Sequence, residues 1–249
     1  MTLSKDDLGH HISQQFNQEL ENLRTHVLHM GGVVEQQITD AIAALDDNDP
    51  DRAVSVIGRD PQVNRLEIDL DEECSRILAR RQPAASDLRL IFAVIKTVTD
   101  LERIGDQAER VARTVVELAH ADAGRSRPPL RHLGELVRRL LHKALDAFAR
   151  MDVEEALAVE REDLAVDQEY EAILRQLVTY MMEDPRSITW ALNLVWAARA
   201  LERIGDHSKN IAEYLIYLVQ GQDVRHVSLE ERERQVHGAQ AAPGLPAQT

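Results

Sequence analysis

One six-residue segment that occurs twice constrains the fold of this chain more than any other feature. Leu-Glu-Arg-Ile-Gly-Asp occupies residues 101–106 and recurs unchanged at residues 201–206. Upstream of this match the helix-breaking prolines also correspond, but Pro83 and Pro185 are offset by 102 residues rather than 100. Self-similarity whose offset drifts by a few residues is typical of a duplicated unit whose loops have changed length. The sequence therefore predicts one structural unit that occurs twice in tandem.

Each copy is divided into three long helical stretches. Prolines and short runs of polar residues break the chain at matching places, and Asp49 and Asp152 correspond at an offset of 103 residues. Between the breaks, apolar residues recur at helical spacing. The predicted helices lie at about residues 10–46, 50–82, 86–121, 130–151, 153–183 and 187–220.

The composition agrees with a helical fold. The chain has only 11 Gly and 8 Pro among 249 residues, and aromatic residues make up 4% of it. All-β folds need many Gly and Pro turns, whereas aliphatic residues suit the packing of helix on helix. We predict an all-α protein of two tandem three-helix bundles. The predicted boundaries are a first bundle at 1–122, a linker at 123–129, a second bundle at 130–222 and a partly disordered C-terminal tail at 223–249.

Charge and hydropathy exclude several functions. The 43 acidic and 29 basic side chains give a formal net charge of −14, which repels the phosphates of nucleic acids. The longest uncharged apolar-rich run, residues 187–198, is shorter than the roughly 20 residues that cross a bilayer. The N-terminus has no apolar leader, and the single cysteine, Cys74, excludes an intramolecular disulfide. We expect a cytoplasmic protein that meets a membrane only through its partners.

On the third and sixth predicted helices, an apolar stripe ends in two carboxylates one turn apart. These are Glu102 and Asp106 in the first copy, and Glu202 and Asp206 in the second. Like charges at this spacing destabilise a helix by about 0.2–0.5 kcal/mol, so their repetition indicates a compensating cation. Oxygen ligands of this kind suit iron, manganese, magnesium or zinc. Asn210, one turn beyond Asp206, adds an amide oxygen to the metal site predicted in the second copy.

The two predicted metal sites are not equivalent. Arg110 occupies in the first copy the place that Asn210 has in the second, which makes the first site the weaker candidate. Further oxygen donors would come from neighbouring helices. Two carboxylate pairs with helical spacing rank lower because the repeat does not align them, namely Glu67 with Asp71 and Asp167 with Glu171.

The alternative interpretation is an exposed acidic face without a ligand. Ion pairs along the helices would then neutralise it, joining Asp106 with Arg110, Arg199 with Glu202, and Arg203 with the neighbours of Glu202. Gly105 and Gly205 favour a specific role for the segment. A glycine inside a helix costs about 1 kcal/mol, and this cost is easier to understand where a ligand or another backbone approaches closely. The sequence leaves both interpretations open.

The chain shows no catalytic centre. It has no phosphate-binding loop, dinucleotide-binding motif, nucleophile elbow or zinc-protease motif. A di-iron bundle needs two Glu-x-x-His motifs, and only Glu117–His120 is present. Trp190 and Trp196 are six residues apart, which predicts one in the core and the other at a bundle edge or interface. We expect a protein that is not an enzyme.

Longer stretches outside the repeated segment carry a family resemblance. Residues 11–20, His-Ile-Ser-Gln-Gln-Phe-Asn-Gln-Glu-Leu, and residues 30–37, Met-Gly-Gly-Val-Val-Glu-Gln-Gln, belong to the first predicted helix. Residues 80–90 surround the next break, and residues 145–152 lie near the start of the second copy. Together with the two acidic segments, these stretches resemble the PhoU family over about residues 10–227.

The resemblance implies two three-helix bundles that pair in a homodimer. It further implies a cytoplasmic negative regulator of the phosphate-starvation response. Such a protein is an adaptor between the ATPase subunit of the ABC phosphate importer and the phosphate-sensing histidine kinase of a two-component system. Some members of the family bind metal clusters through their acidic segments, which carries over to Glu102, Asp106, Glu202, Asp206 and Asn210. The alternative hypothesis is a metal-binding helical protein whose acidic clusters carry the function.

Overall fold

The structure, a computed structural model, describes residues 5–81, 83, 85–119, 130–221 and 227–241. All regular secondary structure within these ranges is helical. The α-helices are α1 (Lys5–Asp47), α2 (Pro50–Ile57), α3 (Asp60–Arg81), α4 (Ala85–Leu118), α5 (Leu130–Arg150), α6 (Val153–Glu183), α7 (Ile188–Gln220) and α8 (Leu229–Ala241). One turn of 3-10 helix, Pro185–Ser187, joins α6 to α7. The prediction of an all-α fold is confirmed.

The helices form two bundles that repeat one arrangement. In the first bundle α1 packs against α4, and α2 with α3 covers both; in the second, α5 packs against α7, and α6 covers both. The most extensive packing in the described part of the chain joins the bundles through α4 and α7, and α1 also contacts α5. The prediction of two tandem three-helix bundles is confirmed. The buried apolar residues of both bundles form one continuous core.

The prediction of a single helix at residues 50–82 is wrong, because two helices occupy this stretch. The first ends where the backbone N–H of Gly58 donates to the carbonyl of Val54 at 3.0 Å. Pro61 follows at the start of α3. Proline has no N–H and restricts the residue before it, so a helix that continued through Pro61 would lose a hydrogen bond. At an offset of 103 residues the second copy has Leu164, and α6 runs there without a break.

The repeated aspartates at the start of the second helix of each bundle are N-caps. Asp49 Oδ1 accepts a hydrogen bond from the backbone N–H of Arg52 at 3.0 Å. Asp152 Oδ1 accepts one from the N–H of Glu155 at 3.1 Å. Each cap satisfies a backbone donor that the first turn of a helix leaves unpaired, and such a cap stabilises a helix by about 1 kcal/mol. The correspondence of Asp49 and Asp152 therefore has a structural cause.

Two glycines allow α1 and α5 to approach closely. A Cβ atom built on Gly134 of α5 would lie 2.7 Å from Ile42 Cγ1, and one built on Gly31 of α1 would lie 2.7 Å from Leu145 Cδ1. Carbon atoms that are not bonded prefer separations of about 3.5–4.0 Å. The absence of a side chain at Gly31 and Gly134 therefore sets the distance between the bundles along this contact.

Part of the C-terminal tail forms a helix that packs on the second bundle. Helix α8 contacts α6, and Val236 is fully buried. Arg232, only 6% exposed, pairs with Glu160 at 2.7 Å and with Glu213 at 2.6 Å. A buried charge is tolerated when it is paired in this way. The sequence predicted no helix here, because the segment has few apolar residues.

Several sequence predictions concern residues outside the described ranges. These are the linker at 123–129, the boundaries at 122 and 222, and the disordered end of the tail beyond residue 241. They stay predictions. Among the helices in the described ranges, none has both the length and the apolar character needed to cross a membrane.

Replacing Gly134 by alanine tests the close approach of α1 and α5. Gly134→Ala is expected to lower the free energy of unfolding by about 1 kcal/mol, because the added methyl group must displace Ile42. Gly32→Ala is the matched control. A Cβ there meets nothing within 4 Å, so the better helix propensity of alanine should raise the stability by about 0.5–1 kcal/mol. Urea denaturation measures both changes, and equal effects of the two variants would contradict the packing argument.

Candidate functional site

Two clusters of carboxylates lie where α3 packs on α4 and where α6 packs on α7. The first acidic cluster comprises Asp60, Glu67, Glu102 and Asp106. The second acidic cluster comprises Asp163, Asp167, Glu202 and Asp206. The structure thus places each predicted pair on α4 and α7 beside further carboxylates from the neighbouring helix of its own bundle.

Burial and mutual repulsion raise pKa values in the first acidic cluster. Partial burial raises the pKa of Glu102, and the carboxylates of Asp106 and Glu67 raise it further. Partial burial likewise raises the pKa of Asp60, with added repulsion from Glu109 and Asp106. The pKa of Glu67 is raised by burial and by other carboxylates nearby. The cluster therefore holds more negative charge than its surroundings neutralise.

The second acidic cluster is more deeply buried and contains its own cations. The side chain of Glu202 is 9% exposed, and burial together with Asp206 raises its pKa to about 7. Arg199 donates to Glu202 Oε1 at 2.5 Å. Burial also raises the pKa of Asp163, although Lys209 donates to Asp163 Oδ2 at 3.0 Å. Here the ion pair that the alternative interpretation predicted between Arg199 and Glu202 is present.

The alternative interpretation also predicted an ion pair in the first copy, between Asp106 and Arg110. Within the described residues Arg110 forms no ion pair with Asp106, and instead lines a cavity between α4 and α7. The alternative of a face neutralised by ion pairs along the helix consequently describes the second cluster better than the first.

The repeated glycines explain how the neighbouring helices come so close. A Cβ on Gly105 would lie 3.3 Å from Val63 Cγ1, and a Cβ on Gly205 would lie 3.1 Å from Val166 Cγ1. Val63 and Val166 are themselves 103 residues apart in the sequence. Because each glycine lets a valine from the next helix approach its backbone, the carboxylates of the two helices are brought together. Close helix packing therefore accounts for Gly105 and Gly205.

The donor atoms of both clusters suit a hard cation. Asp60 Oδ1 and Glu202 Oε2 are buried without a hydrogen-bond partner, as is Oδ1 of Asn64, whose Nδ2 donates to Asp60 Oδ2 at 3.0 Å. Most buried polar atoms have one, and oxygen atoms of this kind are the usual ligands of hard cations. Even so, no three or more His, Cys, Asp or Glu side chains in the described ranges are grouped closely enough to hold a metal ion. The predicted metal sites therefore stay predictions.

Asn210 faces a different partner from the predicted one. Its Nδ2 donates to Asp100 Oδ1 across the α4–α7 interface at 3.4 Å, and His207 Nδ1 lies 2.7 Å from the same oxygen. Four residues advance a helix by about 400°, so Asn210 is rotated by about 40° from Asp206. This rotation turns the amide toward α4. The geometry gives no support to Asn210 as a ligand shared with Glu202.

Sequence reasoning missed several of the residues that the neighbouring helices contribute. Asp60 and Asp163 correspond at the offset of 103 residues that also relates the two N-caps, and Asn64 corresponds to Asp167 at the same offset. Applying that offset beyond the helix starts would also have identified Asp60, Asn64 and Asp163. The sequence did identify Glu67 and Asp167, but ranked them lower because they are not equivalent in the repeat.

Cys74 is a core residue without nucleophilic character. Its side chain is 1% exposed, and burial raises the pKa of the thiol to about 12. The thiolate is the reactive form of cysteine, and at neutral pH this thiol stays protonated.

Glu202→Gln tests the perturbed carboxyl group of the second acidic cluster. An ordinary glutamate ionises near pH 4.5, whereas Glu202 in the fold has a pKa of about 7. The wild-type chain therefore loses stability as the pH rises from 4.5 to 7, and the amide does not. We expect Glu202→Gln to stabilise the fold by about 2 kcal/mol at about pH 8 and to have no such effect at about pH 4.

Chemical denaturation of chelator-treated protein across this pH range measures the effect. Glu72→Gln, at an exposed carboxylate of α3, is the control and should change the stability by less than about 0.5 kcal/mol at any pH. Equal stabilisation by Glu202→Gln at low and high pH would show that charge burial is not the cause.

Comparison with known proteins relates both bundles to one family. The family model described as the PhoU domain matches residues 27–115 and again residues 130–215. The chain is 55% identical to the phosphate-specific transport system accessory protein PhoU homolog of Pseudomonas aeruginosa, over 94% of this chain and 97% of that protein. It is 50% identical to the phosphate-specific transport system accessory protein PhoU of Escherichia coli strain K12, over 93% of this chain and 96% of that protein.

Solved structures agree with this relationship. The crystal structure of PhoU from Pseudomonas aeruginosa superposes with a TM-score of 0.80 at 55% identity, covering 83% of this chain and all of that chain. The phosphate transport system regulatory protein PhoU from Streptococcus pneumoniae superposes with a TM-score of 0.78 at 30% identity, over 84% of this chain and 99% of that chain. These relatives are named as accessory or regulatory proteins, which confirms the expectation that the chain is not an enzyme. The chain belongs to the PhoU family.

Proposed function

We propose that this protein is a cytoplasmic regulator of phosphate uptake that restrains the phosphate-starvation response when phosphate is plentiful. It acts as a homodimeric adaptor between the ATPase subunit of the ABC phosphate importer and the histidine kinase of the phosphate two-component system. By binding both, it relays the state of the importer and favours the inactive or phosphatase mode of the kinase. It reaches the membrane only through the importer.

The observation that carries this proposal is a row of exposed apolar side chains on α7, which we term the apolar stripe. Ile188, Leu192 and Trp196 are 42%, 43% and 66% exposed. Residues four apart lie on one face of a helix, so the three side chains adjoin. Contiguous exposed apolar side chains mark protein contacts, and tryptophan is frequent among the residues that dominate binding energy. An adaptor needs such a surface.

The partners are supported by the family. The names of the relatives connect them with the phosphate-specific transport system as accessory proteins. This connection supports the importer as one partner, and the PhoU resemblance of the sequence implies the kinase as the other.

A binding assay with purified components tests the adaptor role. The wild-type chain is expected to retain both the ATPase subunit and the cytoplasmic region of the kinase. Ile188→Ser combined with Leu192→Ser should weaken at least one of these interactions by about tenfold or more, because the anchors of the apolar stripe are removed. Val54→Ser, at a valine of α2 that is 58% exposed, is the matched control and should leave both interactions unchanged.

Two results would overturn the proposal. One is wild-type protein that binds neither partner. The other is a deletion strain in which alkaline phosphatase is still fully repressed at high phosphate.

The second candidate function is metal binding, which the unpartnered oxygen atoms favour. Asp60 Oδ1 and Glu202 Oε2 lie in different clusters, are buried and accept no hydrogen bond. Iron, zinc, manganese or magnesium would compensate the clustered negative charge, and the carboxylates of Glu102, Asp106, Glu202 and Asp206 would hold it. Metal binding would lower the raised pKa values, because a cation favours the ionised form of its ligands.

Elemental analysis of protein purified without chelator tests this candidate. The fourfold variant Glu102→Gln, Asp106→Asn, Glu202→Gln and Asp206→Asn is expected to lose most of the metal that the wild-type chain carries. Four exposed carboxylates outside the clusters provide a control with the same loss of charge, namely Asp51→Asn, Asp69→Asn, Glu72→Gln and Glu230→Gln. Unchanged metal content in the fourfold cluster variant would exclude the assigned ligands. Loss of metal with intact phosphate repression would show that metal does not carry the function.

A further inference from the structure

The α4–α7 interface contains equivalent faces of the two copies, so its contacts occur in corresponding pairs. Both helices contain the repeated segment, and their residues correspond at an offset of 100. Asp100 on α4 contacts His207 and Asn210 on α7. If the interface is symmetric, the counterpart of Asp100 on α7, residue 200, should face the counterparts of His207 and Asn210 on α4, residues 107 and 110. Ala200, Gln107 and Arg110 indeed line one cavity. The interface therefore has two corresponding sides: a first side around Asp100, and a second side around Ala200.

The first side is closed by a buried carboxylate. Asp100 is 2% exposed, and its Oδ1 is shared by His207 Nδ1 at 2.7 Å and Asn210 Nδ2 at 3.4 Å. Lys96 covers the edge of this side, with its Nζ 5.3 Å from the centre of the Tyr214 ring. The polar groups of the two helices satisfy one another here, and no ligand is needed.

The second side lacks the carboxylate and is open. Ala200 stands where the first side has Asp100, and Trp196 stands where it has Lys96. The result is a cavity of about 330 Å³, whose lining includes Trp196, Ala200, four arginines and one carboxylate, namely Arg110, Arg113, Arg199, Arg203 and Glu117. A volume of this size lies within the range of small-molecule sites.

The charge of the cavity is opposite to that of the whole chain. Two of its arginines are already paired, Arg113 with Glu109 at 2.5 Å and Arg199 with Glu202 at 2.5 Å. Arg110 and Arg203 form no ion pair with any residue in the described ranges. Glu117 is the one carboxylate in the lining, so the arginines still leave a local excess of positive charge on a protein of formal charge −14. Guanidinium groups in this arrangement are suited to binding an anion.

A buried amide also lacks a partner in this cavity. Gln107, the counterpart of His207, is 4% exposed, and its side-chain oxygen has no hydrogen-bond partner. On the closed side, the corresponding side chain of His207 contacts the carboxylate of Asp100. A buried amide usually has its hydrogen bonds satisfied. The Gln107 oxygen would accept a hydrogen bond from a protonated oxygen of a bound phosphate group, and the amide turned over would donate to an unprotonated one. The open side also lacks the carboxylate that the closed side supplies from its own chain.

We propose that the cavity between α4 and α7 binds a phosphate group, free or carried by a small phosphate ester. The group takes the place that the Asp100 carboxylate has on the closed side, with Arg110 and Arg203 as its charged donors and the Gln107 amide beside them. Guanidinium groups bind phosphate through paired hydrogen bonds. Trp196 forms a wall of the cavity and offers a planar face to the ester portion of a ligand. This assignment does not depend on the adaptor role.

Trp196 provides the measurement. The chain has two tryptophans, and Trp190→Phe leaves Trp196 as the only one. Titration of this variant with inorganic phosphate is expected to change the Trp196 emission in a saturable way in the millimolar range or tighter. Chloride at matched ionic strength should not. Adenosine monophosphate is titrated in parallel. Tighter binding of inorganic phosphate identifies the free anion as the ligand, and tighter binding of the nucleotide identifies an ester that stacks on Trp196.

Substitutions identify the site. Arg110→Gln with Arg203→Gln is expected to weaken binding by about 100-fold, since a hydrogen bond to a charged group contributes about tenfold or more. Ala200→Asp installs the carboxylate of the closed side and should abolish binding by occupying the cavity with negative charge. Arg103→Gln, at the exposed position that corresponds to Arg203 in the repeat, is the matched control and should bind as the wild type does. Circular dichroism verifies that each variant is folded.

Three results would overturn the assignment. They are the absence of any saturable change with phosphate and nucleotide, an equal change with chloride, and undiminished binding in the folded double arginine variant. Tighter binding of succinate than of either phosphate compound would also overturn it, because the cavity would then recognise carboxylates.

Discussion

The packing of α4 on α7 is the contact on which the rest of the structure depends. It is the most extensive packing between helices in the described ranges, and each of these helices is also the centre of its own bundle. On the side away from the interface, α4 meets α3 and α7 meets α6, and both acidic clusters form there. Within the interface lie a buried carboxylate on one side and a basic cavity on the other. A change in the relative position of α4 and α7 would therefore alter the acidic clusters and the cavity together.

Because the structural unit is duplicated, each feature can be compared between equivalent positions of the two copies. Lys209 neutralises Asp163 in the second acidic cluster, whereas the corresponding Asp60 has a carboxylate oxygen without a partner. Asp100 closes one side of the interface, whereas Ala200 leaves the other open. What the copies share maintains the fold: the N-caps, the glycines at helix crossings and the apolar faces. The positions at which the copies differ are those that leave charged groups without a partner. A ligand or a partner protein would act at these positions.

Local signals in the sequence were sufficient for most of the helices. Capping aspartates, prolines and apolar periodicity act within a few residues, so they can be recognised without knowledge of the fold. The exceptions also have local physical causes. The break at Pro61 follows from its missing N–H. Helix α8 packs through the buried Val236 and through the pairing of Arg232 with two glutamates from other helices. A helix stabilised by distant charges has no signature in its own segment.

By itself, the sequence determined the helical class, the duplication, and the spacing that puts Glu102 with Asp106 and Glu202 with Asp206 on one face of a helix. All of these are properties of short segments or of their repetition. Only the tertiary structure decided which groups meet across helices: Asp60 beside Glu102, Asn210 against Asp100. The physical reason is that such contacts depend on how each helix is rotated and how closely it packs. These are set by residues far apart in the sequence, such as Gly105, whose missing side chain leaves room for Val63, and Ala200, whose small side chain leaves a cavity.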